Sequence, residues 1–212
     1  MSYVFLNCDC MDKDKGMPSY PDKHFELAIV DPPYGIEQTT GRETNHGRGK
    51  LKDRAFNQGE KKFGVWDIRP SAYYFAELKR VSKNQIIWGG NYFELPPNRC
   101  MIVWDKCQPW ENFSQVELAW TSFDSPALLY KYDNRYGGKI HPTQKPIALY
   151  KWLLTKYAKP GDKILDTHVG SASSIIACID LGFDVTGFEL DADYYKAATK
   201  RINDFKSQLK IF

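Results

Sequence analysis

The chain is poor in the features that mark secreted, membrane-spanning or zinc-binding proteins. Its five cysteines (Cys8, Cys10, Cys100, Cys107, Cys178) are odd in number and scattered, with no Cys-x-x-Cys pair. That pattern supports neither a disulfide framework nor a zinc site. No run approaches the roughly 20 apolar residues of a spanning helix. The N-terminus has no charged stretch followed by an apolar one, so nothing there reads as a secretory signal. No internal repeat and no clear linker divides the 212 residues. These absences leave the expectation of one cytoplasmic α/β domain over 1–212, without metal or membrane, long enough to bury a sizeable core. A mean hydropathy of −0.52 fits that class.

Aromatic residues are plentiful, at 15% with six Trp and thirteen Tyr. The surplus suits core packing and base stacking equally well. Short apolar runs read as strands at Tyr3–Leu6, Phe25–Val30, Gln85–Trp88, Met101–Trp104, Val116–Trp120 and Ala127–Tyr130. Residues 71–81 read as a helix with Tyr74, Leu78 and Val81 on one side. Thr143 is placed to cap a helix running to about Tyr157, with Pro146 in its first turn. A strand at Lys163–Leu165, a helix carrying Ile175, Ile176 and Ile179 that Gly182 ends, and a strand at Asp184–Phe188 follow. Asp191 is placed to cap a last helix presenting Tyr195, Ala198, Ile202 and Phe205. From Gly35 to about Gly64 there is almost no apolar periodicity, which marks a functional loop or disorder.

The most informative stretch is Asp31-Pro32-Pro33-Tyr34, directly after the apolar run Leu27–Val30. Proline cannot donate to a sheet ladder, so the strand must stop at Asp31. Open α/β sheets place their chemistry at such strand ends. One carboxylate, one fixed carbonyl at Pro32 and one ring at Tyr34 suit a planar amine, with two acceptors for its N–H groups and a π face to stack on. A polar turn is the plainer reading of the same four residues.

The run from Lys163 to Glu189 reads as a nucleotide-binding βαβ unit, in which Gly170 permits close approach of backbone to ligand. Glu189 lies about twenty residues beyond the loop, where an acidic side chain grips ribose hydroxyls. The loop departs from Gly-x-Gly-x-x-Gly, so an adenosyl ligand without phosphate, S-adenosylmethionine, fits better than a dinucleotide. A generic βα turn competes with this reading.

Together the segments Asp31-Pro-Pro-Tyr34, His141-Pro-Thr-Gln-Lys-Pro146 and Leu165-Asp166-Thr-His-Val-Gly170-Ser171 resemble the DNA amino-methyltransferases that act on N6 of adenine or N4 of cytosine. The tetrapeptide precedes the cofactor loop, as in the permuted beta group, and small phage and prophage adenine methylases are the most similar. The resemblance implies a Rossmann-like methyltransferase fold: a mostly parallel seven-stranded sheet with helices on both faces. It also implies S-adenosylmethionine as cofactor, double-stranded DNA as partner, and the group's habit of dimerising. The implied catalytic residues are Asp31, Pro32, Pro33 and Tyr34. The implied cofactor set is Asp9, Cys10, Asp31, His141, Thr143, Lys145, Asp166, Gly170, Ser171, Ser173 and Glu189, with Asp9 meeting the adenine amine and Thr143 and Lys145 near the cofactor's carboxylate.

Two departures from the family pattern stand out. Thr167-His168 replace its usual Pro-Phe, and Ala172 stands where a second glycine is usual. The reading of His168 is loop packing; a requirement for positive φ at Ala172 would weaken cofactor binding. Asp31 favours adenine, because cytosine-N4 members more often carry Ser there. The alternatives are N4-cytosine methylation, or a DNA-binding homologue with weak or lost activity. In residues 41–62, Arg42, Arg48, Lys50, Lys52, Arg54, Lys61 and Lys62 against three acidic residues give +4, more than the +3 of the whole chain. A basic loop at about 36–64 is therefore expected to track DNA phosphates, with a small recognition insertion at about 105–125.

Overall fold

The computed structural model describes residues 1–35, 68–108, 114–133 and 144–209. Among the described residues eight strands join one sheet: β1 (Tyr3–Asn7), β2 (Phe25–Val30), β3 (Ser82–Trp88), β4 (Met101–Asp105), β5 (Val116–Thr121), β6 (Leu128–Lys131), β7 (Lys163–Asp166) and β8 (Asp184–Glu189). Their spatial order is β1-β8-β7-β2-β3-β5-β4-β6. Among these described strands β5 alone runs against the rest, antiparallel to both β3 and β4. The sheet therefore has one strand more than the seven expected. β5, reversed between β3 and β4, brings its first residues to the edge where the other strands end.

Helices α1 (Ala72–Val81), α2 (Ile147–Tyr157), α3 (Ser173–Leu181) and α4 (Ala192–Leu209) cover both faces. Alternation along β2 sorts the core. Leu27 and Ile29 pack with residues of α2, α3 and α4, including Leu149, Leu153, Ile175, Ile179, Ala198 and Ile202. Ala28 and Val30 pack on the opposite face with Tyr74, Leu78 and Val81 of α1. A strand buried on both faces needs the continuous apolar sequence that β2 has.

The caps explain most boundaries. Ser71 accepts from the Tyr74 amide to begin α1, and Asp191 accepts from the amides of Asp193 (2.8 Å) and Tyr194 (3.0 Å) at the start of α4. Gly182 ends α3 in the left-handed region, φ 79°. The helix expected from Thr143 starts later, at Ile147, with Pro146 as its extended N-cap (ψ 142°). Proline biases the residue before it away from helical backbone, which bars a helix from running through Lys145. Among the described residues no helix is long and apolar enough to cross a membrane.

Candidate active site

β2 leads to α1 on one face and β7 leads to α3 on the other, while the two strands pair directly, Leu27 with Ile164 and Ala28 with Leu165. Connections that diverge from neighbouring strands open a crevice at their carboxyl ends. Asp31 follows β2 and Asp166 closes β7, so two carboxyl groups 135 positions apart in the chain meet at that crevice.

On the β2 side, Asp31 Oδ1 accepts from the Tyr34 hydroxyl at 2.7 Å, and Oδ2 pairs with the Lys145 ammonium. Lys145 is only 3% exposed, and it also reaches Glu117 Oε2 at 3.0 Å. Its Nζ lies 5.2 Å from the centre of the Trp88 ring. Glu117 pairs in turn with Lys106 at 2.6 Å. Burial opposes the charge on Lys145, but Asp31 and Glu117 outweigh it and hold the ammonium pKa above its usual value. Burial likewise opposes ionisation of Glu117, and Lys145 and Lys106 outweigh it, so that carboxyl is held low. The result is a half-buried line of alternating charge centred on the buried Lys145, which is tolerable because every member has a partner. Burial, then the charges of Asp31 and Glu117, keep the Tyr34 hydroxyl protonated and able to donate.

The Tyr34 ring is stacked on Tyr92, with centroids 5.0 Å apart and planes 19° from parallel. It lies so close to Gly89 that a Cβ there would sit 2.2 Å from Tyr34 Cε1. Gly89 also has φ +69°. Glu117, Lys106, Trp88 and Tyr92 lie outside the residues that the sequence pattern singles out for the site. The signal for Glu117 was a carboxylate in an otherwise apolar strand. Lys145, expected near the cofactor's carboxylate, is bound to Asp31 and Glu117.

On the β7 side, Asp166 is 1% exposed and accepts from the His168 amide (3.0 Å) and the Ser174 hydroxyl. Burial pushes its carboxyl up to about 7. Glu189, at the end of β8, accepts from the amides of Gly170 (2.8 Å) and Asp191 (2.9 Å). Burial raises its pKa against those two donors. Asp9 accepts from the Met11 amide at 2.8 Å. Gly170 and Ala172 both have positive φ, 52° and 63°. The loop is fixed from α4: Arg201 donates to the Ser171 carbonyl (2.6 Å) and the Ser173 hydroxyl (3.0 Å). Ser171 and Ser173, expected to hold cofactor, are buried and lie 3.1 Å apart hydroxyl to hydroxyl, an arrangement that orders the loop. Cys10, also expected there, is a core thiol raised far above its usual pKa by burial.

His168 is not merely packed. Its Nδ1 is 2.9 Å from Thr167 Oγ1, which is 2.6 Å from the Tyr74 hydroxyl of α1. Burial lowers the imidazole pKa to about 4, and the negative charge of Asp9 opposes that only in part. His141, Thr143 and the seven basic residues Arg42, Arg48, Lys50, Lys52, Arg54, Lys61 and Lys62 lie outside the described residues. Of the stretch 105–125, expected as a recognition insertion, the described part supplies β5 and the Lys106–Glu117 pair.

A pair of acidic groups, Asp166 and Glu189, beside a small-residue loop with left-handed backbone at Gly170 and Ala172 suits a ligand with hydroxyl and amine donors and no phosphate. Comparison with known proteins agrees. The family model described as "DNA methylase" (N6/N4 type) matches residues 50–200. The DNA adenine methyltransferase YhdJ of Escherichia coli is 30% identical over 105 residues, which is 50% of this chain and 34% of YhdJ. The protein YubD of Escherichia coli is 32% identical over an alignment of 225 residues, covering 93% of this chain and 89% of YubD. The solved M1.HpyAVI–SAM complex is similar with a TM-score of 0.59 at 19% identity, over 94% of this chain and 99% of that one. The cytosine-N4-specific PvuII DNA methyltransferase gives 0.57 at 15%, over 97% and 93%. The structural likenesses show the fold, and the family model together with the near-full-length match to YubD shows that this chain belongs to the N6/N4 DNA methylase family.

Proposed function

We propose that the protein transfers a methyl group from S-adenosylmethionine to the exocyclic N6 of an adenine flipped out of double-stranded DNA at a specific site. The observation that carries this is the meeting of Asp31 and Asp166 at the ends of the paired strands β2 and β7, which sets an amine-accepting group beside a loop suited to an adenosyl ligand. S-adenosylmethionine, when bound, supplies a methyl on a sulfonium that needs no further activation. Asp166, Gly170 and Glu189 hold its ribose and methionine side and Asp9 its adenine. Lys145 and the residues His141 and Thr143 lie nearest its carboxylate in this reading.

An exocyclic amine is a weak nucleophile because its lone pair is delocalised into the ring. Asp31 and the Pro32 carbonyl each accept one N–H, so the nitrogen pyramidalises and the growing positive charge is stabilised where it forms. Lys145 has Glu117 as a second anion, so it releases Asp31 to the incoming amine without becoming a lone buried charge. Tyr34 positions Asp31 through its hydroxyl and offers its ring to the target base. Because a paired base cannot reach such a crevice, the nucleotide flips. The basic residues between Arg42 and Lys62 track phosphates, which makes binding fall steeply with salt.

Adenine is favoured over cytosine by the carboxylate at Asp31 and by the name of YhdJ, an adenine methyltransferase. The test is methylation of defined DNA followed by base-resolution mapping of the modified nitrogen, with Asp31→Ala as control. Methyl on N6 of adenine at a recurrent short sequence, lost by at least about a hundredfold in the variant while cofactor still binds, is the expected result. Methyl on cytosine N4, or full activity in Asp31→Ala, overturns it.

A further inference from the structure

The pair Thr167-His168 stands where the family pattern has no titratable ring, and the site described so far makes no use of it. Tyr74 Oη, Thr167 Oγ1 and His168 Nδ1 form one chain of hydrogen bonds, with links of 2.6 and 2.9 Å. Two proton arrangements satisfy that geometry. In the first, Tyr74 donates to Thr167, Thr167 donates to Nδ1, and the imidazole carries its proton on Nε2. In the second, Nδ1–H donates to Thr167 and Thr167 donates to Tyr74. The Tyr74 proton is then left over, and if Tyr74 also donates to Thr167 it is the Thr167 proton that is left over instead.

Tyr74 is only 3% exposed, and among the described residues its hydroxyl has no partner besides Thr167. A buried hydroxyl proton without an acceptor carries the full cost of its lost hydration. The first arrangement uses every buried donor and is the one the fold selects. It fixes the tautomer of His168 and leaves Nε2–H with no hydrogen-bond partner among the described residues. Partial burial keeps the ring neutral at physiological pH, so Nε2 is a single, uncharged donor. The ring stands edge-on to Tyr74, with centroids 5.7 Å apart, and within electrostatic reach of Asp9.

We propose that His168 is a specificity-determining residue of the cofactor pocket, its Nε2–H donating to a ring nitrogen of the cofactor's adenine. Tyr74 and Thr167 are the positioning residues that hold it in the donating tautomer. This rests on the reading of Asp9 as the acceptor for the adenine amine. A carboxylate acceptor and an imidazole donor together match an edge that presents an N–H beside a bare ring nitrogen, a pattern that a hypoxanthine edge inverts. A side chain of the family's usual type at this position could only pack; the imidazole also reads.

The experiment is calorimetric titration of the full chain with S-adenosylhomocysteine and with its 1-deaza and 7-deaza analogues, which remove in turn the two ring nitrogens beside the amine, for wild type and His168→Phe. One deaza analogue should bind wild type about 3- to 10-fold more weakly than the parent, the worth of one neutral hydrogen bond. His168→Phe should bind parent and analogue alike. Equal affinity of wild type for all three ligands overturns the inference while leaving the cofactor reading intact; failure of wild type to bind the parent ligand sinks both. Nitrogen-15 NMR of histidine-labelled protein reads the tautomer directly and needs no variant that folds. A bare, acceptor-type Nδ1 and a protonated Nε2 on His168 are expected, and a protonated Nδ1 refutes the relay. Thr167→Val should return the ring to a mixture of tautomers.

Discussion

Replacing Asp166 by Asn is expected to stabilise the cofactor-free protein above pH 7, although it alters a group in the candidate site. The carboxyl is 1% exposed, and burial lifts its pKa from 3.8 to about 7 against the hydrogen bonds from Ser174 and the His168 amide. Between those values the folded chain keeps a proton that the unfolded chain has already lost. The stability tied to that proton is complete below pH 3.8, declines as the pH rises, and is gone above 7. Across about three pH units, at about 1.4 kcal/mol for each, the loss is about 4 kcal/mol. His168 works in the opposite direction. Burial depresses its pKa from 6.5 to about 4, so stability is lost there as the pH falls through that window. The ring is partly exposed, which limits its effect to about 3 kcal/mol at most. In the wild type the two slopes largely offset each other between pH 4 and 6.5. The amide of Asn accepts from the His168 N–H, donates to Ser174 and does not ionise. The gap between variant and wild type should therefore widen from near zero at pH 4 to about 4 kcal/mol at pH 8, whatever His168 contributes to both. Urea unfolding of the two cofactor-free proteins at several pH values measures this gap, and a difference that does not change with pH would refute the reasoning.

Gly89→Ala drives a methyl into the Tyr34 ring at a backbone angle of φ +69°. Methyl transfer should fall about a hundredfold with cofactor affinity unchanged, and an unaltered turnover rate would show that Tyr34 need not be held there. Glu117→Gln removes the anion between two lysines, one of them 3% exposed, and should cost about 3 kcal/mol in chemical unfolding at pH 7; a loss below about 1 kcal/mol would mean the pairs are not coupled. Ala172→Gly sets three effects against each other. Relief of left-handed backbone returns about 1–2 kcal/mol, while a fully buried methyl is lost at about 0.8 kcal/mol and glycine adds about 0.5–1 kcal/mol of chain entropy. A net change within about 1 kcal/mol and an unchanged Kd for S-adenosylmethionine are expected, and a tenfold tighter Kd would mark the alanine as a defect.

The elements most readable from sequence were those buried on both sides. The run Leu27–Val30 admits little but a central strand, and Asp31-Pro32 ends it by chemistry that no tertiary contact overrides. Gly182 and Asp191 ended and began helices for equally local reasons. The start of α2 is harder to read, because Thr143 resembles a cap while Pro146 restricts Lys145 and delays the helix to Ile147. Glu117 left only a faint local mark, a carboxylate in an apolar strand, for a different reason. Its importance arises only when β5 runs against its neighbours and turns its first residues toward Asp31, which is a property of topology and not of any local pattern. The tie of Ser171 and Ser173 to Arg201 was equally out of reach, since that partner is supplied by a helix about thirty residues later.

The strand order also governs how the molecule can be built. β1 and β2 come first in the chain yet stand three places apart, with β8 and β7 between them. Until residues 163–189 have left the ribosome, both early strands present open edges to a gap two strands wide, and Asp31 has no crevice beside it. Inserting the β7–α3–β8 unit closes the sheet and creates the reaction site in one event. Long-range parallel pairing of this kind is slow to form. A nascent or truncated chain is therefore both sticky and catalytically silent, and reactivity toward DNA appears only with the last piece of the sheet.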